Sequence, residues 1–299
     1  MDKTIKLSGL TKVFKGMQVP AVNDLSLTVN SGEVYGLLGP NGAGKTTTIR
    51  MIMAFIAPTS GHVEIFGQKS SFDNFQLKDL IGYLPSDMEY YPHMNGRQFL
   101  EYMGSLQKGN DLKYFDELIK KFDVNLDKKI EELSRGNRQK IAIVQALMHK
   151  PKVLILDEPT SGLDPLMQEA FYEEIISAKK RGTVTLLSSH ILGEVQKICD
   201  RVGIIKEGKL IKESFVEELL RSTGQNYVIE FAGKAPLAGL KKIKGLNVLE
   251  SDSNTVTVSL SGKLSEFLAF LSEEDVVNLR SKEADLEEVF LGYYESEVK

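Results

Sequence analysis

The segment GPNGAGKTT at residues 39–47 constrains the fold of this 299-residue chain more than any other part of it. It fits the pattern Gly, four residues, Gly-Lys-Thr, and it lies between an apolar stretch, EVYGLLG, and a helical pattern that opens at Gly44. Glycines let a backbone wrap closely around phosphates, while loop N–H groups and the helix start supply positive potential. An ordinary glycine-rich turn rarely has this pattern in this context. The segment predicts a strand, a phosphate-binding loop and a helix in succession.

Each residue of this loop is a candidate nucleotide contact, and the candidates are Gly39, Pro40, Asn41, Gly42, Ala43, Gly44, Lys45, Thr46 and Thr47. Lys45 brings a full positive charge to the β and γ phosphates and is a candidate catalytic residue. Thr46 is placed to ligate magnesium.

The second half of the predicted site is KVLILDE, in which an apolar run ends at Asp157 and Glu158. At the carboxyl end of a strand, one carboxylate can hold magnesium while its neighbour polarises the attacking water. We assign Asp157 to the metal and Glu158 to the general base. Taken alone, the segment is more typical of a buried strand ended by two solvated acids. Its pairing with the phosphate loop favours the catalytic interpretation.

Apolar strand patterns alternate with helical patterns, which predicts an α/β fold with a mainly parallel sheet covered on both faces and an antiparallel β subdomain at its start. The first helix is predicted to run from Gly44 to just before Pro58, and Glu207 and Gly208 to turn a hairpin. Residues 87–148 are predicted to form a helical insert. The strand candidates are IKLSGL, LSLTV, EVYGLLG, HVEIFG, KVLILD, TVTLLSS and RVGIIKEGKLI.

A domain boundary is predicted at STGQN, which gives a first domain at 1–221 and a small α+β domain at 222–299. In the second domain, the predicted strands are YVIEF, TVTVSL and VVNLRS, and the predicted helices are KLSEFLAFLSE and LEEVFLGYY.

Composition excludes several classes of protein. A formal net charge of −4 does not suggest a bulk nucleic-acid binder. Cys199 is the only cysteine, so an internal disulfide and a multi-cysteine zinc site are excluded, which suits the cytosol. No secretory signal and no membrane-spanning stretch is predicted. His62, His93 and His149 show no metal-ligand spacing.

The block LSRGNRQKIAIVQALMHKPKVLILDEPTSGLD at 133–164, with GLLGPNGAGKTT and SSH, resembles the ATPases of the ABC family from about Ile5 to Ile211. The resemblance implies a P-loop NTPase fold, ATP and magnesium as cofactors, and head-to-tail dimers. In such dimers the signature segment, LSRGN here, caps the ATP held by the other chain's phosphate loop. The resemblance leaves a homodimer and a heterodimer open. It also implies a separately encoded integral membrane permease, whose coupling helices dock on the helical insert, and a cytoplasmic position on the inner face of the membrane.

The resemblance implies roles for five further residues. Ser134 and the backbone of Gly136 would offer donors to the other chain's γ-phosphate, although LSRGN alone would pass as a helix cap. His190 would contact the γ-phosphate and position the water, whereas a lone histidine at a strand end is more often structural. Asp164, at the end of the segment TSGLD at 160–164, matches a family aspartate that links the two ATP sites of the dimer. Phe14 matches the aromatic residue that stacks on adenine, and a core position is an equally open alternative.

Two departures from the family pattern bear on the site. Where the family has glutamine after GYLP, this chain has Ser86 and Asp87. Ser86, a candidate magnesium ligand, is too short to reach the permease, so coupling would run through Asp87 or a water. In the signature segment, Arg135 and Asn137 replace glycine and glutamine, and Arg135 adds a cation beside the expected γ-phosphate.

The tail EADLEEVFLGYY resembles that of drug- and antibiotic-export ATPase subunits, which favours an exporter. The alternative is a non-transport ABC-type ATPase that acts on the ribosome or on DNA. Translation-type members carry two ATPase modules, and repair-type members insert a long coiled coil before the signature segment. This chain has one phosphate loop, and Lys45 lies too close in sequence to Ser134 for such an insertion. A nucleotide-binding regulator without turnover is disfavoured by Glu158.

Overall fold

The chain forms two compact units in the computed structural model, Met1–Ser214 and Phe215–Lys299. The structure describes residues 4–107, 111–222, 225–282 and 290. The domain division predicted from the sequence, an ATP-binding domain at 1–221 and a small α+β accessory domain at 222–299, remains a prediction.

The central sheet of the first unit has six strands in the order β10-β9-β3-β8-β7-β6. Its strands are β3 Val34–Leu38, β6 Ile81–Leu84, β7 Val153–Asp157, β8 Val184–Ser189, β9 Arg201–Lys206 and β10 Lys209–Phe215. The pairs from β9 to β6 are all parallel. Every residue of β3, β7 and β8 is buried, as expected for parallel strands covered on both faces. The predicted mainly parallel sheet is confirmed.

A second, antiparallel sheet has the order β2-β1-β4-β5. Its strands are β1 Ile5–Lys12, β2 Val22–Val29, β4 Ser60–Ile65 and β5 Gln68–Lys69. Side chains of this sheet, such as Leu7 and Leu27, share one apolar core with Leu37 and Ile155 of the central sheet. This is the predicted antiparallel N-terminal part.

Seven helices are described in the first unit: α1 Lys45–Ile52, α2 Phe75–Lys78, α3 Gly96–Ser105, α4 Leu112–Lys121, α5 Arg135–Leu147, α6 Pro165–Lys180 and α7 Leu192–Ile198. Helices α3 to α5, with a 3₁₀ turn at Ile130–Glu132, fill the segment between β6 and β7. Within the described ranges, no helix combines the length and apolar character needed to cross a bilayer.

The first helix ends at Ile52, earlier than predicted. Ala54 has a left-handed φ of 55°. The N–H of Phe55 donates to Arg50 O at 2.9 Å, and that of Ala54 donates to Met51 O at 3.0 Å. These two bonds form a Schellman motif, which usually has glycine at the left-handed position. The predicted helix was too long because alanine, unlike glycine, does not indicate a helix end in the sequence.

The second unit begins with α8 Val216–Ser222 and continues as a βαββαβ unit. Its elements are β11 Gln225–Phe231, α9 Leu237–Leu240, β12 Leu246–Ser251, β13 Thr255–Leu260, α10 Leu264–Ser272 and β14 Val276–Lys282. The antiparallel sheet has the order β12-β13-β11-β14. Helix α10 buries Phe267 against this sheet in a separate apolar core. The predicted helix LEEVFLGYY lies outside the described residues except for Phe290.

Candidate nucleotide-binding site

Three neighbouring parallel strands bring the predicted site residues to one edge of the central sheet. Leu38, the last residue of β3, pairs with Ser189 at the end of β8. On the other side of β8, Ser188 pairs with Asp157 at the end of β7. Because carboxyl ends of parallel strands share one edge, the phosphate loop, the acidic pair and His190 meet there.

The phosphate loop is held in place by close backbone contacts. A Cβ atom on Gly39 would lie 2.5 Å from the carbonyl oxygen of Ile205. Gly44 has a φ of +106°, and a Cβ atom there would lie 2.5 Å from the carbonyl oxygen of Ala21. The N–H of Gly208, in the β9–β10 turn, donates to Ala43 O at 3.0 Å. The two glycines are required because the loop packs against neighbouring backbone.

Lys45, the first residue of α1, is buried beneath this loop with 5% of its surface exposed. Its Nζ donates to the carbonyl oxygens of Gly39 at 2.6 Å and Pro40 at 3.1 Å. Burial lowers the pKa of Lys45, and the nearby Glu158 and Asp157 carboxylates oppose that effect. The ammonium group and both acids therefore belong to one electrostatic cluster.

Asp157 is 1% exposed, and its two oxygens differ in their surroundings. Ser188 Oγ donates a short hydrogen bond to Oδ1. Oδ2 is buried and has no hydrogen-bond partner among the described residues. Mg²⁺ prefers oxygen ligands, and this carboxylate oxygen has no donor of its own among the described residues. The half-buried Thr46, next to Lys45 on the phosphate-loop helix, offers a hydroxyl oxygen as a second ligand. The residues present therefore fit a magnesium ion.

Glu158 leaves the strand in a left-handed conformation with a φ of 51°. Its N–H donates to Ser188 O at 3.1 Å, so the turn is fixed to the neighbouring strand. This conformation costs a non-glycine residue about 1–3 kcal/mol, and such strain is concentrated at functional sites. The Glu158 side chain is 25% exposed, and its Oε1 lies 3.1 Å from Nδ1 of the half-exposed His190. The structure thus places the predicted base and the predicted phosphate-contacting histidine in direct contact.

The signature segment lies at the start of α5. The exposed Ser134 is the N-cap, and its Oγ accepts a bond from the Asn137 N–H at 3.3 Å. A Cβ atom on Gly136 would lie 2.9 Å from Gly162 O, so this position packs tightly on the segment 160–164. Arg135 Nη2 donates to Ser161 Oγ at 2.8 Å. Arg135 therefore joins the signature segment to the segment 160–164 of its own chain, a contact that the sequence did not indicate.

Asp164 and Phe14 lie at exposed positions. Asp164 caps α6, and its Oδ1 accepts a bond from the Met167 N–H at 3.1 Å. The Phe14 ring is 38% exposed, with Lys12 Nζ 5.3 Å from its centroid. That exposure leaves a ring face available and argues against a core position for Phe14.

Ser86 is exposed and lines a polar cavity of about 450 Å³ between the segment after β6 and the start of α5. The other lining residues include Asp87, Tyr90, Arg135 and Arg138. The Tyr90 hydroxyl donates to Arg138 O at 2.7 Å, which ties the two walls together. The magnesium role of Ser86 stays a prediction.

Sequence reasoning missed Ser188, which contacts Asp157 through its side chain and Glu158 through its carbonyl group. It is visible in the sequence only as a polar residue at the end of the apolar strand TVTLLSS, where an inward hydroxyl needs a buried acceptor.

The fold and this cluster define a P-loop nucleotide-binding protein. A model of the ABC transporter family matches residues 22–161. The chain is 38% identical over 229 residues to the uncharacterized ABC transporter ATP-binding protein YhaQ of Bacillus subtilis, covering 75% of each protein. It is also 38% identical over 216 residues to the bacitracin transport ATP-binding protein BcrA of Bacillus licheniformis, covering 71% of this chain and 70% of BcrA.

A solved structure of the ATP-binding subunit of an ABC transporter matches with a TM-score of 0.68 and 27% identity, covering 73% of this chain and 92% of that one. The chain belongs to the ABC transporter family, among its ATP-binding proteins.

Proposed function

We propose that this chain is the ATP-hydrolysing subunit of an ABC transporter and that it energises a separate membrane permease through ATP-driven dimerisation. The observation that carries the proposal is the meeting of Lys45, Asp157, Glu158 and His190 at one edge of the central sheet. A buried cation, a buried carboxylate oxygen without a donor and a carboxylate–imidazole pair are what phosphoryl transfer to water requires.

In this proposal the phosphate loop and Lys45 bind the β and γ phosphates of ATP. Asp157 and Thr46 would hold magnesium, with Ser86 as a further candidate, and the ion would neutralise charge on the phosphates. Lys45 exchanges its bonds to Gly39 and Pro40 for bonds to phosphate oxygens.

Glu158 acts as general base on the water that attacks the γ-phosphorus. As the new oxygen–phosphorus bond forms, the bond to the β-phosphate oxygen breaks, ADP leaves, and the water's proton passes to Glu158. His190 contacts the γ-phosphate, and its contact with Glu158 holds the general base at a fixed distance from that histidine.

A second chain completes the site, either an identical copy or a relative. Ser134 and Gly136, at the exposed start of α5, supply donors and a positive helix end to ATP on that chain. Asp164 links the two sites, and Phe14 stacks on adenine.

The partner is a separately encoded integral membrane permease, docked on the helical insert at 87–148, and no nucleic acid is involved. In this proposal the subunit works in the cytoplasm, at the inner face of the membrane. Export is supported by the tail motif and by the similarity to BcrA, which is named for bacitracin transport.

Phosphate release with and without Mg²⁺, with ATP affinity measured in parallel, tests the hydrolytic part. Wild type should hydrolyse ATP slowly and only with Mg²⁺. Glu158→Gln should bind ATP with similar affinity and lose at least about 100-fold in turnover, since it removes the base. Glu207→Gln is the matched control, because Glu207 has the same left-handed backbone, with a φ of 50°, in an exposed turn. Wild-type turnover in Glu158→Gln, or no ATP binding by wild type, would refute the proposal.

A further inference from the structure

A buried carboxyl group lies behind His190, and the proposed chemistry does not use it. Glu194, on α7, is 2% exposed. Its Oε2 accepts a hydrogen bond from Ser189 Oγ at 2.6 Å. Its Oε1 makes no hydrogen bond of normal geometry within the described part of the chain, although the Thr160 hydroxyl lies near enough to favour the charged form. A buried carboxyl group this poorly satisfied is expensive, so it needs a reason other than packing.

The bond from Ser189 belongs to a short chain of hydrogen bonds around His190. Ser189 Oγ accepts from the Ile191 N–H at 3.0 Å and donates to Glu194. Ser189 and Ile191 are the residues on either side of His190, so this chain fixes the turn that carries the imidazole. The imidazole in turn lies 3.1 Å from Glu158 Oε1. The path from Glu194 to the predicted base therefore passes through the backbone at His190.

We propose that Glu194 is a positioning residue for His190: by accepting from Ser189 it holds the turn at 189–191 so that the imidazole meets Glu158 and the γ-phosphate. The inference rests on the proposed function of His190. Because Glu194 is buried behind His190, it is not expected to contact the nucleotide or the attacking water, so its loss should lower kcat and leave ATP affinity unchanged.

The strength of the hydrogen bond from Ser189 to Glu194 depends on pH. Burial, together with the charge of Glu158, raises the pKa of Glu194 to about 7, while the bond from Ser189, the nearby Thr160 hydroxyl and the charge of His190 lower it. A carboxylate is a stronger acceptor than a neutral carboxyl group, so protonation of Glu194 loosens the turn. The titratable groups that face Glu194 from the surrounding elements are Glu158, His190, Tyr172 and Cys199.

Glu194→Gln imitates the protonated form and provides the test. Its kcat for ATP should equal that of wild type at pH 6 and be about tenfold lower at pH 8, with KM unchanged. Ser189→Ala removes the same bond from the other side, and the double variant should be no slower than Ser189→Ala alone. Glu174→Gln is the matched control, because Glu174 is also a buried helical glutamate, 6% exposed, but pairs with Tyr114 and Arg181. Its activity relative to wild type should not change with pH.

A second readout needs no turnover. Hydrogen exchange in the peptide that contains Ile191, measured at pH 8 without nucleotide, should be faster in Glu194→Gln and Ser189→Ala than in wild type and unchanged in Glu174→Gln. Unchanged exchange, or a Glu194→Gln activity ratio that is the same at both pH values, overturns the inference. Faster exchange in a protein whose wild type releases no phosphate would instead refute the proposed function and leave the positioning intact.

Discussion

Glu194→Gln should stabilise the protein at pH 8 even though it slows the proposed reaction. The pKa of Glu194 rises from an ordinary 4.5 to about 7 because the group is buried. Each pKa unit corresponds to about 1.4 kcal/mol, so ionising this group in the folded state costs about 3–4 kcal/mol above pH 7. Between pH 4.5 and 7 the folded state binds more protons at Glu194 than the unfolded state does, so this contribution to stability is lost as pH rises. Glutamine cannot ionise and escapes that loss.

The assay is urea unfolding of wild type and Glu194→Gln at pH 5 and pH 8. Any pH-independent cost of the amide is present at both pH values, so the difference between the two comparisons isolates the ionisation. That difference should favour the variant at pH 8 by about 2–3 kcal/mol, because at pH 5 the group is already largely ionised in the unfolded state. Glu174→Gln should show no such gain.

A difference below about 0.5 kcal/mol would refute the reasoning, because it would mean that Glu194 titrates as an ordinary carboxyl group. A gain in stability together with lower kcat would show that the chain retains a costly buried charge for its function.

Two further predictions follow from the phosphate loop and the signature segment. Gly44→Ala should lower the midpoint of thermal unfolding more than Gly42→Ala does, and it should abolish ATP binding. Both glycines have a positive φ, but only a Cβ atom on Gly44 would meet a carbonyl oxygen, that of Ala21. Equal midpoints for the two variants would contradict this. Ser134→Ala and Asn95→Ala each remove a helix N-cap, and each should lower the free energy of unfolding in urea by about 1 kcal/mol. Only Ser134→Ala should also reduce phosphate release. Equal rates of phosphate release in the two variants would mean that Ser134 acts as a helix cap alone.

The strands that were predicted correctly share a strong local signal. VLILD is an apolar run and VTLLSS combines apolar residues with threonine and serine; both are bounded by turn residues, and both form fully buried strands. The Glu207–Gly208 turn was also found, since a two-residue turn with glycine between apolar runs indicates a hairpin, and both residues have positive φ.

The strands that were missed lack that signal. Strand β6, Ile81–Leu84, has four residues and contains Gly82, whose added Cβ would lie 2.1 Å from Ala146 O. Close approach of α5 requires glycine there, and glycine weakens a strand pattern. Strand β12, Leu246–Ser251, is an edge strand with mostly exposed residues, so its pattern is that of a loop.

The site was predicted as far as motifs extend. Lys45, Asp157, Glu158 and His190 were each predicted from separate motifs, and the order of the strands brings these four candidates together. The contact between Arg135 and Ser161 and the bond between Ser189 and Glu194 depend on packing between helices and loops. Neither pair has a spacing that a single sequence distinguishes from chance.

The central claim is that ATP is held between two chains and hydrolysed with Glu158 as base. The most direct measurement is molar mass in solution, with and without ATP, for wild type and Glu158→Gln, alongside phosphate release. We expect Glu158→Gln to become a dimer with ATP and to release no phosphate, while wild type hydrolyses slowly. A Glu158→Gln protein that binds ATP and stays monomeric would rule out closure by two copies of this chain and leave a related chain as the partner, and one that releases phosphate at the wild-type rate would contradict the role of Glu158.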